Sequence, residues 1–384
     1  MSLDAFLGTK PLYYDKIDLE RMPRAYDEVA ARLKLGTVVH VVGTNGKGST
    51  GRMLATLLRD RGRVGHYSSP HILRFNERVW IDGADASDAT LEAAHEKLQA
   101  WLRPETAEAL SYFEYTTLLA LVAFEGLDYV VLEAGLGGEF DATNVVPKEL
   151  SVITPIGMDH QAFLGDTIEA IAATKLRSIG RRALLAPQPF KETERVAETI
   201  ARQKGAKLLR PDDIVRESRR RDIERIAASA GWPPFLAQNA LTAAAAYALL
   251  TGSQPPPDRL SKVRLKGRFE RIAPHVILDV GHNPLGAEAV RRALGKERRV
   301  LVYNALADKD VGEILKILKP VVKRLEILPI ESDRAMEEAR LRRIAEEIGI
   351  ETVRFSGIDE KERYLVFGSF VVAEAFVKRC GIGG

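Results

Sequence analysis

The sequence has little of what marks a secreted, membrane-bound or nucleic-acid-binding protein. Its 384 residues include one cysteine, Cys380, so no intrachain disulfide can form, as is typical of a reducing compartment. The longest apolar stretch, around Thr116 to Phe124, is about half of the ~20 residues that span a membrane, and the first residues do not resemble a signal peptide. Basic and acidic side chains nearly balance, 56 against 53, so no large field favours nucleic acid. We expect a cytoplasmic monomer with no membrane or nucleic-acid partner.

The residues that are present predict an α/β fold. Short β-branched runs bounded by turn residues are typical of buried parallel strands, at residues 37–42, 129–132, 151–154, 183–186, 276–279 and 300–303. Helical patterns lie between most of them, at residues 50–60, 115–125, 167–179 and 236–250. Strands that alternate with helices predict an open parallel sheet with helices on both faces.

The length also predicts two domains, because 384 residues exceed twice the ~150 residues of a typical domain. The best boundary follows Thr251–Asp258, a segment with three consecutive prolines that ends an alanine-rich helix. We therefore expect a nucleotide-binding domain over residues 1–267 and a smaller Rossmann-like α/β domain over residues 268–384.

A glycine-rich loop joins the first predicted strand to the first long helix. It reads Gly43-Thr44-Asn45-Gly46-Lys47-Gly48-Ser49-Thr50. Glycines allow backbone N–H groups to face an anion, the helix N-terminus adds its dipole, and lysine neutralises phosphate charge. The hydroxyls of Ser49 and Thr50 are candidates for phosphate or for a magnesium shell. Gly48 separates the lysine from the hydroxyl residue, which departs from the commonest phosphate-loop spacing.

This variant loop resembles that of folylpolyglutamate synthases and dihydrofolate synthases, members of the Mur ligase superfamily. Further segments are similar to the family's motifs in the same order along most of the chain: residues 67–79 (YSSPHILRFNERV), 113–117 (FEYTT), 132–138 (LEAGLGG), 141–144 (DATN), 159–167 and 278–284 (LDVGHNP). The resemblance implies an ATP-dependent ligase that couples L-glutamate to a pteroate or folate carboxylate. Such a ligase first transfers the ATP γ-phosphoryl group to the carboxylate, which leaves the protein mainly positioning and charge neutralisation to do.

The resemblance also implies the metal site. Hard oxygen donors suit magnesium near a phosphate loop. By resemblance, Ser69, Glu133 and His160 are magnesium ligands, and we expect two ions in all.

Lys175 has two different interpretations. Spacing along its helix by itself indicates a surface lysine. In the family, a lysine at this place is carbamylated and becomes an anion that can approach a second magnesium. The surroundings differ here, since Thr174 stands where glutamate is common and Leu176-Arg177 replaces an alanine–glycine pair. We expect Lys175 to be catalytic and modified.

Other positions complete the implied ATP site. The loop residues Thr44 to Ser49 bind the nucleotide, and Lys47 is also catalytic. By resemblance, Asn239 faces the adenine, Arg268 reaches phosphate oxygens, Asp279 contacts the nucleotide, and His282 serves the glutamate side and catalysis.

Three alternatives stay open at this point. One is a polyglutamate-only enzyme, although the segment Lys16–Arg24 and the segments at residues 111–116 and 368–370 resemble the bifunctional bacterial type that also uses dihydropteroate. A nucleotide-dependent switch would not require Ser69, Lys175 or a second domain. A muramyl-peptide ligase is disfavoured by the elements between Ser68 and Arg78.

Overall fold

The structure, a computed structural model, describes residues 1–11 and 18–382 and forms two compact units. The first contains residues 1–230 and 236–263, and the second contains residues 231–235 and those from 264 onward. The expected boundary at residue 267 lies just beyond Val263, where the first unit ends.

The first unit is built on one large sheet. In the described part of the chain it has eight strands in the order β4-β3-β2-β5-β1-β6-β7-β8. The strands are β1 (Thr37–Val42), β2 (Val64–Tyr67), β3 (Val79–Ile81), β4 (Ala84–Asp85), β5 (Tyr129–Glu133), β6 (Leu150–Ile153), β7 (Arg182–Leu185) and β8 (Lys207–Leu209). β2, β5, β1, β6, β7 and β8 pair in parallel, whereas β3 and β4 are antiparallel.

The helices of this unit cover both sides of its sheet. They are α1 (Leu3–Gly8), α2 (Arg21–Ala30), α3 (Lys47–Leu58), α4 (Asp88–Trp101), α5 (Pro104–Ala109), α6 (Tyr112–Ala123), α7 (Gln161–Leu164), α8 (Ile168–Leu176), α9 (Lys191–Lys204), α10 (Pro211–Ile214), α11 (Glu217–Ser229) and α12 (Pro234–Thr251), of which residues 236–251 belong here. On one face, a core cluster joins α4 and α6 to β1 and β5, and another joins α8 and α9 to β6 and β7. On the opposite face lies α3, where a Cβ on Gly51 would lie 2.5 Å from Nε2 of His66 in β2.

This topology brings four connecting loops to one edge of the sheet. β1 and β6 are neighbours in the sheet, and the chain continues from β1 to β2 on one side of this pair and from β6 to β7 on the other. Ligands in open α/β sheets bind in the crevice at the carboxyl ends of strands at such a point. The loops after β1, β2, β5 and β6 carry the glycine-rich loop, Ser69, the residues after Glu133, and His160.

The second unit has a smaller sheet of its own. Six strands are found among its described residues, in the order β13-β12-β11-β14-β10-β9. They are β9 (Glu270–Ala273), β10 (Val276–Asp279), β11 (Arg299–Tyr303), β12 (Val322–Ile327), β13 (Thr352–Arg354) and β14 (Tyr364–Phe367). The helices are α13 (Pro284–Leu294), α14 (Val311–Leu318), α15 (Glu338–Ile348) and α16 (Phe370–Cys380). β9 pairs antiparallel with β10, whereas the pairs β10–β14, β14–β11, β11–β12 and β12–β13 are parallel.

The fold class predicted from the sequence is confirmed, with one correction. The predicted strands and helices are all found, with shifts of a few residues at their ends. The sheets are not entirely parallel, because β3, β4 and β9 join their neighbours through connections too short for a crossover helix. Among the described residues, no helix is both long enough and apolar enough to cross a membrane.

Candidate active site

The glycine-rich loop has the backbone shape that its sequence predicts. Gly43 and Gly46 have positive φ angles of 156° and 86°. A Cβ on Gly43 would lie 2.0 Å from Thr154 Oγ1, so only glycine fits beside the end of β6. The Thr44 and Asn45 N–H groups donate to Pro155 O at 3.0 and 3.1 Å. The loop is therefore anchored to β6, and the amides left to face an anion are those of the first turn of α3.

Asn239 lies directly against this helix start. Its Nδ2 donates to Ser49 Oγ at 2.8 Å, and Ser49 Oγ donates to Gly46 O at 3.2 Å. Both side chains are buried. The amide of Asn239 therefore holds the loop-to-helix junction from α12.

Two lysine ammonium groups meet at one carbonyl of the loop. Lys47 Nζ donates to Gly43 O at 3.3 Å and to Thr44 O at 3.2 Å, and Lys175 Nζ donates to Gly43 O at 3.1 Å. Lys175 is only 4% exposed, so the expectation of a surface lysine from its spacing is wrong. Lys175 follows Ile168 by seven residues and so lies on the same face of α8 as Ile168 and Ile171.

The environment of Lys175 disfavours its charged form. Burial, and then the charge of Lys47, lower the pKa of Lys175 to about 7, while Asp159 and Asp141 act in the opposite direction. The backbone holds the residue tightly, since a Cβ on Gly138 would lie 2.7 Å from Lys175 O.

Two of the three predicted magnesium ligands are brought together by the fold. Glu133, 3% exposed, ends β5, and its Oε2 accepts a hydrogen bond from Ser69 N at 3.3 Å. His160 follows β6 with a left-handed φ of 52°, and its Nε2 lies 3.8 Å from Asp159 Oδ2. A buried carboxylate, a hydroxyl and an imidazole suit a divalent cation, so the residues present fit a magnesium ion.

The three predicted residues of the second unit lie at the open end of the hairpin that β9 and β10 form: Arg268 in the turn before β9, Asp279 at the end of β10 and His282 in the loop after it. Asp279 is buried, its Oδ2 accepts from Phe269 N and its Oδ1 from Gly281 N, each at 2.8 Å. Burial raises the pKa of Asp279, against the effect of Arg268 and these hydrogen bonds. His282 Nδ1 is 3.2 Å from Val280 O. The carboxylate of Asp279 thus holds the turn that carries Arg268.

Models of two protein families match the chain. The Mur ligase middle domain matches residues 41–181, and the glutamate ligase domain of Mur ligases matches residues 267–369. A curated relative, the dihydrofolate synthase/folylpolyglutamate synthase of Haemophilus influenzae, is 35% identical over 352 residues, or 80% of this chain and 77% of the relative. The chain is a Mur ligase of that family. It is therefore an ATP-dependent ligase that adds glutamate to a carboxylate.

Solved structures agree with this membership over nearly the whole chain. Helicobacter pylori folylpolyglutamate synthetase is 40% identical, with a TM-score of 0.78 over 98% of this chain and 97% of its own. The Escherichia coli enzyme in complex with DHPP and ADP is 30% identical, with a TM-score of 0.79 over 99% and 97%. The bifunctional Yersinia pestis enzyme with AMPPNP and a manganese ion is 28% identical, with a TM-score of 0.82 over 99% and 98%.

This Mur ligase has buried acidic residues beside Lys175 that the sequence did not single out as site residues. Asp141 accepts hydrogen bonds from Leu136 N at 2.8 Å and from Thr143 Oγ1 at 2.5 Å, and Thr143 also bonds His40 Nε2 at 2.8 Å. Burial raises the pKa of the Asp141 carboxyl. Asp141 belongs to a motif quoted for the family, and Asp159 directly precedes His160, so both positions carried a signal. That they act on Lys175 follows only from the fold.

Arg52 is a further residue that the sequence did not single out. Its Nε donates to His66 Nδ1 at 3.2 Å, and its guanidinium lies 4.8 Å from the centre of the Trp80 ring. Burial lowers the pKa of Arg52 to about 10, against the charges of Asp85, Glu133 and Glu77. No pattern in the sequence distinguishes it from other helical arginines.

One sequence expectation cannot be compared with the structure. The segment Lys16–Arg24, predicted to help hold dihydropteroate, begins at residues 16 and 17, which lie outside the described residues. Further along, Arg21 Nε donates to Glu114 Oε2 at 2.9 Å, so α2 is tied to the first turn of α6.

Proposed function

We propose that this ligase is bifunctional: it joins dihydropteroate to the α-amine of L-glutamate and then extends reduced folates through their γ-carboxylates. The ATP-dependent step of this proposal rests on the convergence of Lys47 and Lys175 on Gly43 O, in a glycine-rich loop at the sheet edge where β5 ends in Glu133. The curated name of the Haemophilus influenzae relative, which pairs both activities, supports it. We also propose that the enzyme is a cytoplasmic monomer.

The reaction requires two displacements. A carboxylate oxygen of the acceptor attacks the γ-phosphorus of ATP, and ADP leaves. The glutamate amine then attacks the acyl carbon, inorganic phosphate leaves, and the nitrogen loses a proton. We assign Lys47 and the amides of Gly46, Gly48 and Ser49 to the phosphates, because a lysine and a helix N-terminus stabilise phosphoryl charge without reorganising. Thr44 and Asn45 shape the loop through Pro155.

Ser69, Glu133 and His160 would hold one magnesium ion. When bound, the ion neutralises charge on phosphate oxygens. The backbone N–H of Ser69 donates to the Glu133 carboxylate, so the two residues are already adjacent, which limits the rearrangement that binding needs. A carboxylate buried at the end of β5 is also stabilised by a cation, since burial otherwise penalises its charge.

We propose that Lys175 is carbamylated and serves a second magnesium ion. A neutral amine is the form that combines with carbon dioxide. With its pKa at about 7, about half of the Lys175 side chains are neutral at pH 7, whereas an ordinary lysine is almost entirely charged. The carbamate would be an anion beside Lys47, which relieves the repulsion between the two ammonium groups.

The remaining assignments concern the residues that bind the nucleotide and the glutamate. Asn239, held against Ser49, is proposed to face the adenine. Arg268 is proposed to reach phosphate oxygens. His282 is proposed to act on the glutamate side. Asp279 is proposed to serve the nucleotide by fixing the turn before β9, because both of its oxygens accept backbone hydrogen bonds.

Product analysis tests the proposal. The protein is incubated with ATP, magnesium and L-glutamate, together with either dihydropteroate or tetrahydrofolate, and the products are identified by mass spectrometry. We expect one added glutamate on dihydropteroate and one or more on tetrahydrofolate, with neither product from Lys47→Ala. Extension of tetrahydrofolate alone would favour a polyglutamate-only enzyme, the alternative supported by the name of the Helicobacter pylori protein. Phosphate release without any ligated product, or only with a muramyl-peptide acceptor, would refute a folate substrate.

A further inference from the structure

Arg268 is held by an aromatic ring. Its guanidinium carbon lies 5.0 Å from the centre of the Phe370 ring, within the range of a cation–π interaction. Over the described residues of its own unit, the guanidinium makes no hydrogen bond. Phe370 is the first residue of α16, and the preceding Ser369 caps the helix by accepting a hydrogen bond from Val372 N at 3.2 Å. The ring is therefore attached to a fixed point of the second unit.

The backbone of the same turn is fixed separately. Gly267 and Phe269, on either side of Arg268, have positive φ angles of 64° and 49°. For phenylalanine this conformation is strained, and it persists only where the surroundings impose it. Asp279 Oδ2 accepts from Phe269 N, and Val280 N donates to Gly267 O at 3.0 Å. These hydrogen bonds fix the backbone of Arg268 but do not determine the direction of its long side chain.

We propose that Phe370 is a positioning residue for Arg268 in the ligation reaction. The face of an aromatic ring attracts the guanidinium without accepting its N–H groups, so the five donors stay available for phosphate oxygens. An ion pair with Asp279 would instead use some of them, and that carboxylate is occupied by backbone N–H groups. The ring thus orders the side chain before charge develops on the transferred phosphoryl group, which is how positioned donors lower a barrier. The inference rests on the proposed role of Arg268.

Two substitutions at Phe370 distinguish the effect of its aromatic ring from the effect of its side-chain volume. Phe370→Leu keeps an apolar side chain but removes the π face, and Phe370→Tyr keeps the face. We expect the leucine variant to lose about threefold to thirtyfold in kcat with unchanged KM for ATP and glutamate. The tyrosine variant should retain kcat within about twofold. Val371→Ala, at the half-buried neighbour on the same helix, is the matched control and should leave kcat unchanged.

A double variant distinguishes positioning from any independent role. If Phe370 acts through Arg268, adding Phe370→Leu to Arg268→Ala should cost nothing further. Thermal unfolding is measured for every variant, and Phe370→Met replaces the leucine variant if that one does not fold. The proposal is overturned by an unchanged kcat in Phe370→Leu or by additive losses of kcat in the double variant. It is also overturned if Phe370→Leu raises the KM for glutamate and does so in the Arg268→Ala background as well. Failure of the proposed function itself is seen beforehand, as absence of ligated product with the unaltered enzyme.

Discussion

Replacing Lys175 with methionine tests the most unusual electrostatic feature of the site. Lys175 is buried beneath the phosphate loop, its ammonium shares Gly43 O with Lys47, and its pKa lies at about 7 rather than 10.5. In the unfolded chain the pKa of Lys175 returns to this ordinary value. Methionine has a similar length and no charge, so Lys175→Met removes the titration while keeping most of the packing.

The expected effect on stability follows from proton linkage. Between pH 7 and pH 10.5 the unfolded state binds more protons at this residue than the folded state does, so folding stability rises with pH. Below pH 7 the Lys175 ammonium is charged in both the folded and the unfolded state, so folding bears the full free-energy cost of burying that charge. A fall in pKa from 10.5 to about 7 corresponds to about 5 kcal/mol, of which about 2 kcal/mol is relieved between pH 7 and pH 9.

The assay is urea unfolding at pH 7 and pH 9 in buffers depleted of carbon dioxide, without nucleotide or metal. The difference in unfolding free energy between the unaltered protein and Lys175→Met should shift by about 2 kcal/mol in favour of the unaltered protein as the pH rises. Lys191→Met, at an exposed lysine on α9, controls for the loss of one positive charge. That control should show the same pH dependence as the unaltered protein.

A parallel pH dependence of Lys175→Met and the unaltered protein would refute the reasoning. It would mean that Asp141 and Asp159 keep the ammonium charged, and the physical basis for carbamylation would be lost. In the activity assay, Lys175→Ala should lose most turnover, and a short carboxylic acid such as acetate should restore part of it. Full activity in Lys175→Ala would remove the residue from the mechanism.

Three further predictions concern the loop and its surroundings. Lys47→Ala should weaken ATP binding and lower turnover by several orders of magnitude, measured by nucleotide titration and phosphate release; near-normal turnover would mean that this loop is not the catalytic nucleotide site. Glu133→Gln keeps the size and removes the charge, so activity should fall steeply and recover in part with excess magnesium, whereas full activity at low magnesium would exclude it as a ligand. Gly138→Ala places a methyl group 2.7 Å from the carbonyl oxygen of Lys175 and should reduce activity strongly. Gly8→Ala, where a Cβ meets nothing within 4 Å, should leave activity unchanged. Equal activities of the two variants would contradict the tight packing of the loop that holds Gly138 against α8.

The sequence by itself determined the phosphate loop. A β-branched strand, a loop of glycines and a helix start are neighbours along the chain, so local conformational preferences suffice to build them. The ends of β1 and β10 agree with the predicted ends for the same reason. The family motifs likewise identified Ser69, Glu133 and Lys175 as residues of interest, although no local rule showed how they meet.

Only the tertiary structure decided which distant residues share an environment. Ser69 and Glu133 are 64 residues apart, Lys175 and Gly43 are 132 apart, and Asn239 and Ser49 are 190 apart, yet each pair is joined by a hydrogen bond. The pairing order of parallel strands brings their carboxyl ends to one edge, and no short window of sequence contains that order. The low pKa of Lys175 has the same origin, because it depends on burial under a loop that belongs to another part of the chain.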